Sequence, residues 1–242
     1  MPPFPSLTKA WHSEAYPAID PHRPELSAKG KVIAITGGGG SVGGATALAF
    51  AQAGATKIAV IGRREGPLNE TKAKVEREVP GATVLVVQGD LAEAQSMRQA
   101  LRKVHVDLGP IDVLIANAGY LSDFHALADA DPEEWWRGFE INAKGAFNIC
   151  RALIPHAASK AILVDVSTCV VHMPAMASAS AYAASKLAGT KIYETFAAEN
   201  KNRFSVVHIH PGVVYSELNV KSGVTATDNG KPSTIEPVKA HC

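Results

Sequence analysis

Cysteine is scarce: the chain of 242 residues has 3, Cys150, Cys169 and Cys242, with no CxxC pair among them. That spacing supplies neither a disulfide framework nor a thiolate set for structural zinc, so free thiols in a reducing compartment and no metal site are expected. An excess of one charge sign is missing as well. The 24 basic and 23 acidic residues are spread along the chain for a formal net charge of +1, which leaves no basic stripe and argues against nucleic acid as a partner. No apolar run approaches the roughly 20 residues of a membrane-spanning helix. The opening MPPFPSLTKAWHSEAYPAIDPHRPEL is broken by proline and has neither a charged n-region with an apolar core nor an Arg-rich amphipathic pattern. Cys242 is the final residue and is not placed for prenylation. A soluble, cytoplasmic protein with no membrane partner is the expectation.

What the sequence does have is a hydrophobic fraction of 46%, enough at this length to bury one full core. From Lys31 onward, short runs rich in β-branched residues alternate with longer segments of helical periodicity, the pattern of a parallel α/β sheet. The runs KVIAIT, KIAVI, ATVLVVQ, IDVLIAN, AILVDVS and FSVVHIH predict six strands. Helices are predicted between them over Val42 to Ala53, Pro67 to Val79, Glu93 to Leu108, Pro132 to Ala157 and Ala179 to Asn200. The fold class is therefore α/β, a Rossmann-like doubly wound parallel sheet. Its expected organisation is a proline-containing arm over residues 1–28, a dinucleotide-binding domain over 29–218 and an irregular tail over 219–242. Ligands of such sheets bind beyond the carboxyl ends of the strands.

The first strand runs into TGGGGSVGG, Thr36 to Gly44, and then directly into a helix. Glycine allows close approach there, and the helix amino terminus offers unpaired N–H groups and a positive dipole end to a pyrophosphate. Gly37, Gly39, Ser41, Val42 and Gly43 are thus candidate cofactor-binding residues. No Gly-Lys-Ser/Thr follows, which excludes a nucleoside-triphosphate loop. The same stretch spells GxSxG through Ser41, the nucleophile elbow of serine hydrolases, but an elbow on the first strand has no preceding strands to build that sheet. At the end of the second strand, IGRR places Arg63 and Arg64 where an NAD site would carry a carboxylate. Two guanidiniums suit a 2′-phosphate, so NADP(H) is favoured and NAD(H) is the alternative.

The run AYAASKLAG, residues 181 to 189, sets Tyr182 and Lys186 four positions apart, on one helix face. A tyrosine titrates near about 10, so acid/base work near neutrality requires about 4 kcal/mol of phenolate stabilisation. A neighbouring ammonium can supply that only in a shielded cleft. The small residues around the pair equally suit a helix packed closely on its neighbour.

With TGGGGSVG, GDL at Gly89 to Leu91, NAG at Asn117 to Gly119, Asn142 in EINAKGAFN, YAASK, and PGVVYS at Pro211 to Ser216, the sequence resembles the classical short-chain dehydrogenase/reductase family, from about Lys31 to about Leu218. The leader followed by ELSAKGK is similar to that of some fungal members. The resemblance implies that Tyr182 is the acid/base for a carbonyl or alcohol substrate as hydride moves to or from nicotinamide. Lys186 would lower its pKa and hold the nicotinamide ribose, and Asn142 would anchor a water linking Lys186 to solvent. Asp90, with Leu91 beside it, would meet adenine, with a helix N-cap as the alternative role for the aspartate. Asn117, Ala118 and Gly119 would support the central strands and the adenosine ribose, with an ordinary turn as the alternative. Pro211, Gly212, Val214 and Ser216 would border the nicotinamide. The substrate-orienting hydroxyl falls on Thr168 by strand register, with Ser167 immediately before it.

Two features depart from the family pattern. Ser41 stands where the middle glycine of TGxxxGxG belongs, and after PGVVYSEL the sequence NVKSGVTATDNGKPSTIEPVKAHC has no further strand or amphipathic helix, so the usual seventh strand and substrate lid are expected to be missing. The sixth strand would then be a sheet edge. Two functions follow. One is an oxidoreductase, with a role in secondary metabolism, whose pocket is completed by the tail or by a partner in a homodimer formed through the Pro132 to Ala157 and Ala179 to Asn200 helices. The other is a nucleotide-binding protein with little catalysis.

Overall fold

The computed structural model describes residues 12 and 15–220, so the tail beyond Val220 and most of the arm before Ala15 lie outside the described residues. Six strands, β1 (Val32–Thr36), β2 (Lys57–Gly62), β3 (Thr83–Gln88), β4 (Ile111–Ala116), β5 (Ala157–Val166) and β6 (Phe204–Ile209), form one all-parallel sheet in the order β3-β2-β1-β4-β5-β6. The order reverses between β1 and β4, and the crevice beyond their carboxyl ends is where loops from both halves converge.

The apolar runs become strands because both faces of the sheet are covered. All five residues of β1 are buried. On one face α1 (Ser41–Gln52) and α2 (Glu65–Glu78) contribute Ala47, Ala51, Leu68 and Val75 against Ile33, Ile35, Ile58 and Val60. On the other, α3 (Ala94–Leu108), α5 (Gly145–Leu153) and α6 (Ser180–Glu199) bring Met97, Leu101, Ile149, Leu153 and Phe196 onto Leu114 and Leu163. Cover thins at β6, the sheet edge among the described residues, where exposure alternates and Val207 and Ile209 are 46% and 42% exposed.

The long helix expected over Pro132 to Ala157 is three pieces. α4 (Pro132–Gly138) and α5 are joined by a π-helical segment, Phe139–Lys144. Its wider turn adds a residue without breaking the apolar face, so periodicity does not reveal it. Helix also ends earlier than expected, at Leu153, and β5 starts at Ala157, because Ala157 pairs with Ile111 across a register shift before the regular ladder begins at Ile162. Among the described residues no helix is long and apolar enough to cross a membrane.

Candidate active site

The phosphate loop is built by close approach. Gly37 has φ +66°, and a Cβ there would come within 2.9 Å of the Ala118 backbone, while one on Gly43 would meet the Gly37 carbonyl oxygen at 2.3 Å. Bare backbone is what allows the loop to fold back on the start of α1. Thr36 and Asn117 tie it to the sheet: Thr36 Oγ1 accepts from the amides of Asn117 and Ala118 at 3.0 and 3.1 Å, and Asn117 Nδ2 donates to the Thr36 and Gly37 carbonyls at 3.0 and 3.1 Å. Helix α1 starts from Gly40 with no side-chain cap, and the amides of Ser41, Val42 and Gly43 find no acceptor among the described residues. Ser41 is exposed, and among the described residues no histidine bonds its hydroxyl to serve the elbow as a base.

Asp90 is not a helix cap; that position belongs to Glu93. Its Oδ1 instead accepts from the Ala92 amide at 3.0 Å in an Asx turn. Leu91 is 7% exposed and its carbonyl takes Asn148 Nδ2 at 2.7 Å, so its side chain belongs to the core as much as to any pocket. Arg63 and Arg64 are both exposed at the end of β2. Arg64 Nη2 reaches Glu217 Oε2 at 2.6 Å, a contact spanning from the β2 end to α7 (Glu217–Val220) beyond β6. Between β6 and α7, Pro211 and Gly212 are exposed and Val214 and Ser216 half-buried.

At the end of β5 the two candidate hydroxyls part. Ser167 Oγ pairs with Thr190 Oγ1 on α6 at 3.1 Å, whereas Thr168 Oγ1 takes the Val170 amide at 3.4 Å and its hydroxyl acts on the Tyr182 phenol. Burial pushes the phenol above its ordinary range, and the Thr168 hydrogen bond pulls the other way without cancelling it. Lys186, one turn on, is drawn elsewhere: its Nζ donates to the Val166 carbonyl at 2.9 Å and lies 4.0 Å from Asp165 Oδ1. Lys186 is not among the groups that act on the phenol, because the ammonium spends its contacts on β5. Burial pulls Lys186 itself below its ordinary range, opposed by Asp165.

Asn142, in the π-helical segment and 8% exposed, accepts from the Tyr120 amide at 2.8 Å and donates to the Tyr120 carbonyl at 2.9 Å and Ser185 Oγ at 3.0 Å. It also lines a cavity of about 10 Å³, room for one water, together with Lys186, Asp165, Thr190 and Tyr193. Sequence reasoning missed Asp165 and its partners Thr190 and His208. The one available signal was an acid inside the apolar run AILVDVS. Among the described residues no cluster of ligating side chains could hold a metal ion.

Comparison with known proteins identifies the family. The family model described as short chain dehydrogenase matches residues 31–226. The chain is 34% identical over 216 residues to the short chain dehydrogenase pigC of Monascus ruber, spanning 85% of this chain and 69% of that protein. It is 35% identical over 213 residues to the short chain dehydrogenase tazN of Aspergillus terreus, spanning 85% of this chain and 45% of that one. Among solved structures, a short chain dehydrogenase of Shigella flexneri complexed with NADP superposes with a TM-score of 0.76 at 26% identity, covering 83% of this chain and 84% of the other. By sequence match and fold, the chain belongs to the short-chain dehydrogenase family of oxidoreductases.

Proposed function

We propose that the chain transfers a hydride between NADP(H) and a small carbonyl or alcohol substrate, with Tyr182 as the general acid/base. The observation that carries the reading is that Lys186, one turn beyond Tyr182 on α6, bonds the Val166 carbonyl at the carboxyl end of β5, two residues before Thr168. The open amino terminus of α1 follows β1 on the same side of the sheet. The uncapped amides of Ser41, Val42 and Gly43 fit a pyrophosphate, and the glycine loop leaves backbone rather than side chain to meet it. Bound there, the cofactor supplies or accepts the hydride at its nicotinamide ring.

The chain's own residues do the rest. Tyr182 gives its proton to the carbonyl oxygen in reduction and takes one from the alcohol in oxidation; Thr168 donates to the same oxygen and orients it. Burial keeps the phenol protonated at neutral pH, the form that acts in reduction. Lys186 and Asn142 flank the water-sized cavity below, through which a proton can return to the site. Asp90 and Asn117 support the adenosine half. Arg63 and Arg64 favour a 2′-phosphate, with Arg64 exchanging Glu217 for it. A homodimer through α4, α5 and α6 is supported by Trp136, Phe147 and Leu187, which are 56%, 49% and 47% exposed on those helices. The fungal relatives support a substrate from secondary metabolism, reached in the cytoplasm.

The test is a fluorescence titration with NADPH, with NADH alongside, followed by a screen of carbonyl compounds. Saturable binding that favours NADPH, with turnover of one carbonyl lowered about 10²- to 10⁴-fold by Tyr182→Phe, is the expected result. Equal turnover by Tyr182→Phe removes the acid/base assignment, and binding with no turnover of any carbonyl leaves a nucleotide-binding protein.

A further inference from the structure

Below Tyr182 lies a buried carboxylate that the reaction as written does not use. Asp165 sits on β5 at 3% exposure. Its Oδ2 is 3.0 Å from Nδ1 of His208, its register partner on β6, and takes the Thr190 hydroxyl of α6 at 3.4 Å. Its Oδ1 is 4.0 Å from Lys186 Nζ, on a side chain only 12% exposed. Among the described residues it is the one carboxylate in ion-pair range of that ammonium.

A charge on either group is costly in this setting unless the other compensates it, since desolvation takes several kcal/mol per ion. Thr190 and His208 satisfy one carboxylate oxygen, leaving the other turned to Lys186. The Val166 carbonyl fixes the ammonium from the same strand. We infer that Asp165 is a positioning residue for Lys186: oriented by His208 and Thr190, it is the buried counter-charge that holds the ammonium in place and charged beneath the cofactor site.

The surrounding groups leave that task to Asp165. On α6, Tyr182 and Tyr193 are kept neutral by burial. From α5 the Cys150 thiol is pushed up to about 12, chiefly by burial. Cys169 lies beside Tyr182, and Glu194 of α6 faces His208 and His172 at the outer end of the chain of contacts. From the π-helical segment comes only the neutral amide of Asn142. Burial lowers the Lys186 ammonium and Asp165 is the cause that raises it.

For its catalytic consequence the inference rests on the oxidoreductase reading; the charge linkage itself does not. The test is therefore ligand-free: the Cε resonance of Lys186 in protein carrying ¹³C-lysine, identified by its loss in Lys186→Arg, is followed against pH. In Asp165→Asn the titration midpoint moves to lower pH, and each unit it falls below the working pH reduces the charged fraction about tenfold. Asp165→Ser removes the same charge with a different shape and decides the matter if the first variant fails to fold. With NADPH and a carbonyl that the parent reduces, kcat falls and its pH profile follows the shifted midpoint, while KM for the carbonyl stays within about twofold. An unchanged Lys186 midpoint overturns the inference. So does a shifted midpoint with an unchanged kcat profile, which removes the positioning role. If the parent reduces no carbonyl and the midpoint still follows Asp165, the linkage stands and the proposed reaction falls.

Discussion

Asn142→Ala tests whether the π-helical segment is held by one amide. Both amide protons of Asn142 are committed, to the Tyr120 carbonyl at 2.9 Å and Ser185 Oγ at 3.0 Å, and Oδ1 takes the Tyr120 amide at 2.8 Å. Only one lone pair remains for anything else. The substitution withdraws a buried partner from two backbone groups and one hydroxyl. Ser185 keeps a second contact, to the Tyr182 carbonyl at 3.1 Å, so its loss is the smallest. At about 1 to 3 kcal/mol for each of the two backbone groups deprived, the stability lost is about 2 to 6 kcal/mol.

For a chain of this size a kilocalorie moves the melting temperature by about 2 to 4 °C, so a fall of roughly 4 to 24 °C is expected in a thermal melt. The geometry explains why the effect should be so concentrated. The backbone carbonyl of Asn142 also faces Gly189 of α6, where a Cβ on Gly189 would sit 2.9 Å from it. Loosening the segment therefore also loosens the helix that carries Tyr182 and Lys186. A loss below about 1 kcal/mol would mean that water replaces all three bonds and would refute the structural role of the amide.

Ser178 has φ 64°, a left-handed conformation that costs a non-glycine residue about 1 to 2 kcal/mol; Ser178→Gly should raise the urea midpoint by the equivalent of up to about 1 kcal/mol after glycine's entropic cost, and a lower midpoint would contradict it. Because burial holds Tyr182 above its ordinary 10.0, alcohol oxidation, which needs phenolate, should rise with pH from neutrality past 10, while carbonyl reduction stays flat through neutrality; an oxidation plateau below pH 8 would show the phenol lowered instead. His156 and His210 are held below their ordinary 6.5, chiefly by burial. The unfolded chain then binds more protons than the folded one below 6.5, so stability falls as pH drops through that value, and His156→Leu should flatten the slope of denaturation midpoint against pH.

The six strands were legible because a run such as VIAIT, buried on both faces, has to be apolar throughout. The phosphate loop was legible for a related reason, since only glycine admits the approaches of 2.3 to 2.9 Å that Gly43 and Gly37 would make with a Cβ. What escaped were features decided by partners distant in sequence. The π-helical turn leaves the apolar stripe of Pro132 to Ala157 unbroken, and the early start of β5 depends on Ala157 finding Ile111 across the sheet. Asp165 looks like an interruption in a strand until His208 and Thr190, 43 and 25 residues away, close around it.

The YxxxK pair marks the limit of spacing as evidence. Four residues on a helix set two side chains on one face, and Tyr182 and Lys186 are so placed. Spacing does not say what else lies within reach. The phenol turns to the Thr168 hydroxyl and the ammonium to the Val166 carbonyl and Asp165, each taking the partner that best offsets its own burial. An exposed lysine would have been free to attend to the tyrosine; one 12% exposed beside a carboxylate is not. The consequence is an ammonium engaged by β5, with Asp165 as its counter-charge, rather than by the phenol one turn away. How Lys186 is held is thus fixed by the strand register that sets Asp165 beside His208, rather than by the helix on which Tyr182 and Lys186 lie.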